Sequence, residues 1–470
     1  MKHIVYSISA FVCTAMLLLQ PNTATAQHTN SLYFLEKTPF HTKWNPAMAP
    51  SRSGIGGPFS NFGMSFRSDL ALSDIFYPTN GELLNVLHPD LPQADKDAFL
   101  AKLTDGANFG MDMGMDLFNI GLKFGKMYLT VGSTMKNDFG MGLPKDFFGL
   151  FMNGPASNGN LDLSSFNMNA MSYIKSGVGL SLKLSDKLSI GATANYLMGL
   201  SDIKLGFDQF TVNTSNSSWQ VNTKGNLRVV TPEFVKLQYD SEGYLDFKNS
   251  DQMIDNTYFD NFGDKLKNDF TGTLPTAGTG LSFDFGLTFK PLSFLTISAA
   301  VLDMGSISWK EDCINQAKSN GSFTFNGADF SNEGSDMSEA LVDLMHLQKV
   351  QSPEAYKTKL TTKLNIGAEV GLPGNKLSLG VLSQTGITQN GKYQDFMFSA
   401  NLKPASLIQT ALTYSLLHGE MSALGAAVNL KLLFINLYLS ADYIPLKVTP
   451  QMMPINNSYF NFETGFNLMF

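Results

Sequence analysis

The chain of 470 residues carries 33 Lys and Arg against 40 Asp and Glu, a formal charge of −7, and only 16% of it is charged, where soluble domains average about 25%. That balance, with no basic block anywhere, excludes a nucleic-acid-binding surface. Hydrophobic residues make up 43%, with 41 Gly and 37 Phe, which excludes a disordered chain and points to strands and tight turns.

In chain order, Lys2, an apolar run from Ile4 to Leu19 and the small residues Ala24-Thr25-Ala26 read as a cleaved export signal over residues 1–26. The exported chain keeps one cysteine, Cys313. A lone thiol forms no internal disulfide, so closure and packing must hold the fold together. Residues 27–58, with Trp44, Asn45, Pro46 and Ala47, are too irregular for a strand. Beyond them no apolar run reaches the roughly 18 residues of a membrane helix. Period-two alternation takes its place. Phe118, Ile120, Leu122 and Phe124 alternate with Asn119, Gly121 and Lys123, and Leu281 to Phe289 alternates with Ser282, Asp284, Gly286 and Thr288.

The links between strands discriminate between a soluble sandwich and a membrane barrel. Short turns such as Gly125-Lys126, Ser185-Asp186, Lys290-Pro291 and Pro373-Gly374-Asn375 alternate with long links near 135–171, 200–278, 305–360, 385–394, 417–423 and 444–457. Outer-membrane barrels have short periplasmic turns and long extracellular loops. Counting hairpins, a first strand near Ser60 to Arg67 and a last from Ser458 to Phe470, the expected fold is all-β, a transmembrane antiparallel barrel of fourteen strands over residues 59–470, with sixteen as the alternative. Phe207 to Asn213 and Trp219 to Val230 read as a hairpin rising out of the ring. Met337 to Leu347 reads as an amphipathic helix over the external mouth.

Phe460, Phe462, Phe466, Leu468 and Phe470 form an alternating strand ending on an aromatic residue. It resembles the signal read by the barrel assembly machinery, with Phe466, Leu468 and Phe470 as its core. On the polar parity, Lys123, Asp284, Glu369, Asn401, Lys431 and Asp442 are expected to face a polar lumen. Catalytic patterns fail on context. Ser133-Thr134-Met135-Lys136 follows a strand instead of opening a helix, and Gly386 to Lys392 lacks the Ser or Thr of a phosphate loop. His28, His41, His88, His346 and His418 show no metal-ligand spacing. No enzyme, metal or cofactor is expected, although His418 beside Ser415 lies near a barrel rim.

Asn30 to Phe34, Asn45-Pro46-Ala47, Ser73 to Pro78, and Asp284-Phe285-Gly286 through Asp303-Met304-Gly305 to Trp309 together resemble the FadL-type superfamily of outer-membrane transporters, in a branch also similar to PorV-type barrels. The resemblance implies that residues 27–58, with Trp44, Asn45, Pro46 and Ala47, form a hatch inside the barrel. It implies a Gram-negative outer membrane and contacts with its lipid and with the assembly machinery. The expected function is a passive channel for hydrophobic small molecules. The alternative is a non-transporting barrel that docks a surface or secretion protein. Deleting Phe470 is expected to lower the folded, heat-modifiable fraction on gels while leaving export intact, and an unchanged folded fraction would remove the assembly role.

Overall fold

In a membrane core the backbone has no water to bond, so each N–H and C=O must pair within the chain, and a sheet manages this only by closing on itself. The computed structural model of this chain describes residues 31–35, 40–79, 82–88, 90–153, 159–214, 218–232, 237–246, 276–325, 342–374, 376–388, 391–405, 407–417, 421–444, 449–450 and 458–470. The expected export signal, residues 27–30 and His418 lie outside the described residues.

Fourteen antiparallel strands close into one ring. They are β1 (Gly54–Gly56 with Asn61–Ser68), β2 (Gly106–Phe124), β3 (Met127–Pro144), β4 (Asn167–Lys183), β5 (Leu188–Thr214), β6 (Gly278–Leu292) and β7 (Leu295–Trp309). The second half continues with β8 (Lys357–Lys359 with Thr362–Gly371), β9 (Leu377–Ile387), β10 (Lys392–Ala405), β11 (Ile408–Leu417), β12 (Met421–Leu432), β13 (Ile435–Ile444) and β14 (Ser458–Met469). Each strand pairs with the next, and β1 closes the ring on β14 through Asn61↔Gly465 and Ile55↔Leu468. The wall therefore starts at Gly54, inside the span expected to be hatch. Between its two pieces β1 steps out at Gly57 to Ser60. Phe59 takes φ +61 there, yet its N–H reaches Asp116 O at 3.0 Å and Ser60 O accepts from Phe466 N at 3.1 Å, so the step opens no gap in the bonding.

The alternation sorts the two faces. Val178, Leu180, Leu281, Phe283, Phe285 and Leu412 point outward and are exposed, whereas Asn195, Ser282, Asp284, Asn365 and Asn401 are buried inward. This is the polarity of a lipid-embedded barrel with a polar interior. No described helix is long and apolar enough to cross a membrane.

β2 to β5 run well past the lipid band. β5 has 27 residues, and the expected long link at 135–171 narrows to 145–166 between β3 and β4. The upper half of β5 pairs with Trp219–Val230, the expected rising hairpin. That strand pairs on its far side with Ile314–Phe325, and the latter with Gln348–Lys349. Ile314–Phe325 was not expected as a strand. Its Gln316, Lys318, Asn320 and Ser322 give no lipid-type pattern, because its pairing takes place above the membrane. Phe210, Val212, Val221, Leu227 and Val229 on the outer side of this sheet pack with Leu163, Phe166, Leu344, Met345 and Leu347 into a separate external core. Residues 337–341 of the expected helix lie outside the described residues, and Val342 to Met345 are helical.

The polarity of the ring sets its topology. Lys224→Cys, on the external sheet, is expected to react with a membrane-impermeant thiol reagent on intact cells, and Asp186→Cys, on a short turn, only after the outer membrane is opened. Labelling in the reverse order would invert the assignment.

Candidate functional site: a filled lumen and an external apolar pocket

Residues 31–35 and 40–50 lie inside the ring. A turn closes between Leu35 N and Leu32 O at 3.0 Å, and a helical turn follows over His41–Trp44. Asn45 then caps a tight bend: its Oδ1 accepts the Ala47 N–H at 2.9 Å and its carbonyl accepts the Met48 N–H at 2.9 Å. Pro46 contributes a fixed φ to that bend, and a short amide side chain folding back on the backbone is the usual way such turns close.

The bend is fastened to the wall. Asn45 Nδ2 donates to Leu287 O at 3.2 Å and Ala299 O at 3.1 Å, carbonyls of the adjacent strands β6 and β7. Asn365 Nδ2, on β8, donates to Trp44 O at 3.2 Å, and the Tyr33 and Ser298 hydroxyls meet at 3.1 Å. Burial pushes the Tyr33 phenol up to about 12. On the other side of the lumen Ser31 bonds the Asp442 carboxylate, and Phe40 meets Tyr438 edge-on at 5.1 Å. Two wall positions admit the bend only because they lack a side chain. A Cβ at Gly191 would strike the Pro46 carbonyl, and one at Gly286 would strike the Asn45 amide.

Lys43 carries the segment's charge into the lumen, where its ammonium bonds the buried Asp116 carboxylate, which also accepts from Thr134 at 2.8 Å. Burial pulls the Lys43 ammonium below the usual lysine range, with Asp116 acting against that shift. Toward the long-link end lies a cavity of 240 Å³ whose lining includes Lys43, Lys136, Lys175, Lys363, Asp112, Asp284, Asp303 and Glu463. Its centre is an ion cluster. Lys175 Nζ stands 3.0 Å from Asp284 and 2.5 Å from Asp303, and Asn195 Nδ2 donates to Asp284 at 2.9 Å. Asp303 takes φ +59, its N–H donates to Asp284 Oδ1 at 2.7 Å, and the β6–β7 ladder shifts register between Phe283 and Phe285. The carboxylate of Asp284 thus satisfies a backbone group that the bulge frees. Beyond the cluster Tyr173, Leu197, Ile307, Trp309 and Leu360 make a dry apolar layer inside the ring.

A second pocket lies outside the ring. The link between β1 and β2 folds back over the wall, and Leu70, Ile75, Val86, Leu87, Phe99, Phe109 and Phe148 line a cavity of 460 Å³.

The residues expected at the site fall as follows. Trp44, Asn45, Pro46 and Ala47 come together in the lumen. Asp284 and Asp442 are buried in the networks above. Glu369 accepts from Lys403 at 2.8 Å and Ser378 at 2.5 Å, and Asn401 reaches Ser378 and Ser399 at 3.4 and 3.2 Å. Lys123 and Lys431 are half-buried beside short turns, away from the cavity. Phe466 and Leu468 face outward on β14, and Phe470 follows it with its N–H on Ser53 O at 3.0 Å. Ser133 and Lys136 point to opposite faces: Ser133 Oγ meets Ser176 Oγ at 2.9 Å while Lys136 lines the lumen. Asp116 and Asp303 were missed because each sits beside a register shift, where the inward parity changes. Lys175 lies on the inward parity of β4, with no register shift between it and the short turn at Ser185-Asp186, and could have been found. Among the described residues no group of three His, Cys, Asp or Glu could hold a metal.

Residues 46–442 match the profile of a family of unknown function, DUF5723, and the chain belongs to that family. No curated protein matches. Similar solved structures include the Ralstonia pickettii toluene transporter TbuX, with 9% identity, a TM-score of 0.45 and coverage of 92% of this chain and 94% of that one. The P. putida toluene transporter TodX follows with 8% identity, a TM-score of 0.41 and coverage of 96% and 97%. A Pseudomonas aeruginosa FadL homologue has 10% identity, a TM-score of 0.42 and coverage of 96% and 99%. The architecture of this chain rests on its own strand pairing, and the class it defines is an outer-membrane β-barrel.

Removing one side of a buried ion cluster leaves uncompensated charge, which costs about 3–5 kcal/mol. Lys175→Met is expected to lower the free energy of unfolding of the heat-modifiable form, measured in urea, by that amount, and Asn45→Ala by roughly 1–3 kcal/mol for the amide bonds it loses.

Proposed function

We propose that the protein is a filled outer-membrane barrel that presents its external half as a docking platform for a surface or secretion protein, and that residues 31–35 and 40–50 act as a fixed plug. The observation that carries this reading is the fastening of the plug. Asn45, Trp44, Tyr33, Ser31 and Lys43 each bond the wall, and they do so on strands around much of the ring. The space that remains has four lysines and four carboxylates among its lining, beside Trp44, Met64, Met113 and Leu302. A hydrophobic solute crossing it would have to part charges that now bond one another, and a buried ion left without its partner costs several kcal/mol. Above the membrane, the extended β5 sheet with its own apolar core supplies a rigid surface of the kind docking requires.

The channel for hydrophobic small molecules, implied by the FadL-type resemblance, keeps one favourable observation in the apolar pocket beneath the β1–β2 link. Conductance separates the two. In planar bilayers the full-length protein is expected to stay closed, and a variant lacking residues 31–50 is expected to assemble and conduct, because the ladder closes without them. Steady conductance from the full-length protein equal to that of the truncated one would sink the plug and favour passage. Cross-linking on intact cells is expected to join the external sheet to a surface or secretion protein.

A further inference from the structure

On β2 the buried Asp112 and Asp116 mark the inward parity, so Phe109, Met111 and Met115 face outward by alternation, while Met113 borders the lumen cavity. Past the register shift at Leu117 the outward positions are Phe118, which is exposed, and Ile120. The 460 Å³ pocket has Phe109 in its lining, and Leu70, Ile75, Val86, Phe99 and Phe148 complete its apolar walls. That volume falls within the roughly 300–1,000 Å³ of ordinary ligand pockets. Leu72, Leu83 and Leu87 of the same link are exposed, although a link in water gains nothing by exposing three leucines. The pocket is therefore the upper end of an apolar strip that continues down the outside of the wall. Methionine side chains, flexible and polarizable, make up the strip's middle and suit a surface that accommodates a mobile chain.

The strip reaches the membrane. An apolar band about 25 Å tall takes about ten residues of a tilted strand, which on β2 carries it from Phe124 to the neighbourhood of Met115. Phe109 lies about 20 Å further along the strand at about 3.3 Å per residue, a span that a membrane alkyl chain covers.

We propose that this pocket binds the alkyl chain of an amphiphile drawn from the outer leaflet, with the chain laid along the methionine strip and its end seated among Phe99, Phe109 and Phe148. Continuity with the lipid-facing wall selects a lipid chain as the occupant, because the strip leads from hydrocarbon to pocket without crossing the polar lumen. Among the described residues, Asn85 and His88 are the only polar ones lining the pocket, so the pocket takes the chain and leaves the headgroup at the membrane surface. The inference stands whether or not the lumen passes a solute.

The test uses full-length protein in phosphatidylcholine vesicles that contain a phosphatidylcholine with a photoactivatable diazirine at the end of one acyl chain. Irradiation is expected to label Phe99, Phe109 and Phe148 in addition to belt residues such as Phe285. Val86→Trp fills the pocket, and it is expected to lower the label at those three residues about tenfold, the equivalent of losing about two buried methylenes. Belt labelling and heat-modifiable mobility in that variant are expected to match the unsubstituted protein, which separates a blocked pocket from a misfolded barrel. Label confined to the belt overturns the proposal, as does pocket labelling that Val86→Trp leaves unchanged. Pocket labelling obtained only with a water-soluble photoactivatable short-chain alcohol, and not with the lipid, also overturns it, since the ligand would then come from the aqueous side.

Discussion

The ladder between β1 and β14 is the contact on which the rest of this molecule depends. Within the ring every other pair joins consecutive strands, whereas Asn61↔Gly465 to Ser68↔Ser458 joins the two ends of the wall. Without it two sheet edges would face hydrocarbon with their backbone groups unpaired, each at a cost of several kcal/mol. Closure also creates an inside, and the inside must then be filled. A fourteen-stranded ring is wider than its own inward side chains can pack, so the segment before β1 occupies the lumen.

How that segment is held follows from the low dielectric of a closed barrel, where an unmet polar group is costly and a met one is strong. Asn45 uses all of its amide: Oδ1 closes the turn and Nδ2 spans two wall strands. The wall responds with bare glycines at Gly191 and Gly286. Above it the Lys175, Asp284, Asp303 and Asn195 cluster ties β4, β5, β6 and β7 together at the level where two of those strands lose register. Wall and filling are thus one bonded unit, packed also through Leu32, Leu35 and Phe40 against Ala411, Ala427 and Tyr438, while the exposed apolar surfaces lie on the lipid face and beneath the β1–β2 link.

Strands that outgrow the membrane change what they bury. In the lipid band the outward face of β5 meets hydrocarbon, and above it the same outward face, at Leu205, Phe210 and Val212, would meet water. Trp219–Val230 and Ile314–Phe325 extend the sheet there, and Leu163, Phe166, Leu344 and Leu347 cover it. The β1–β2 link does the same over Ala107 and Phe109, but leaves a cavity.

The sequence by itself determined the barrel and the polarity of its faces, because a lipid face and a polar lumen impose a strict period of two on each crossing strand, and it left fourteen strands against sixteen for the pairing to decide. It also marked Asn45-Pro46-Ala47 as a turn, since a proline after a short amide is local chemistry. Tertiary structure alone decided what that turn touches: Leu287, Ala299, Gly191 and Gly286 are bare carbonyls and glycines, which carry no mark of a partner. It alone placed Asp303 and Asp116 in the lumen, because a one-residue shift in register reverses the face of every residue beyond it. It alone turned Ile314–Phe325 into a strand, since pairing above the membrane relies on backbone bonds that any polar sequence can make.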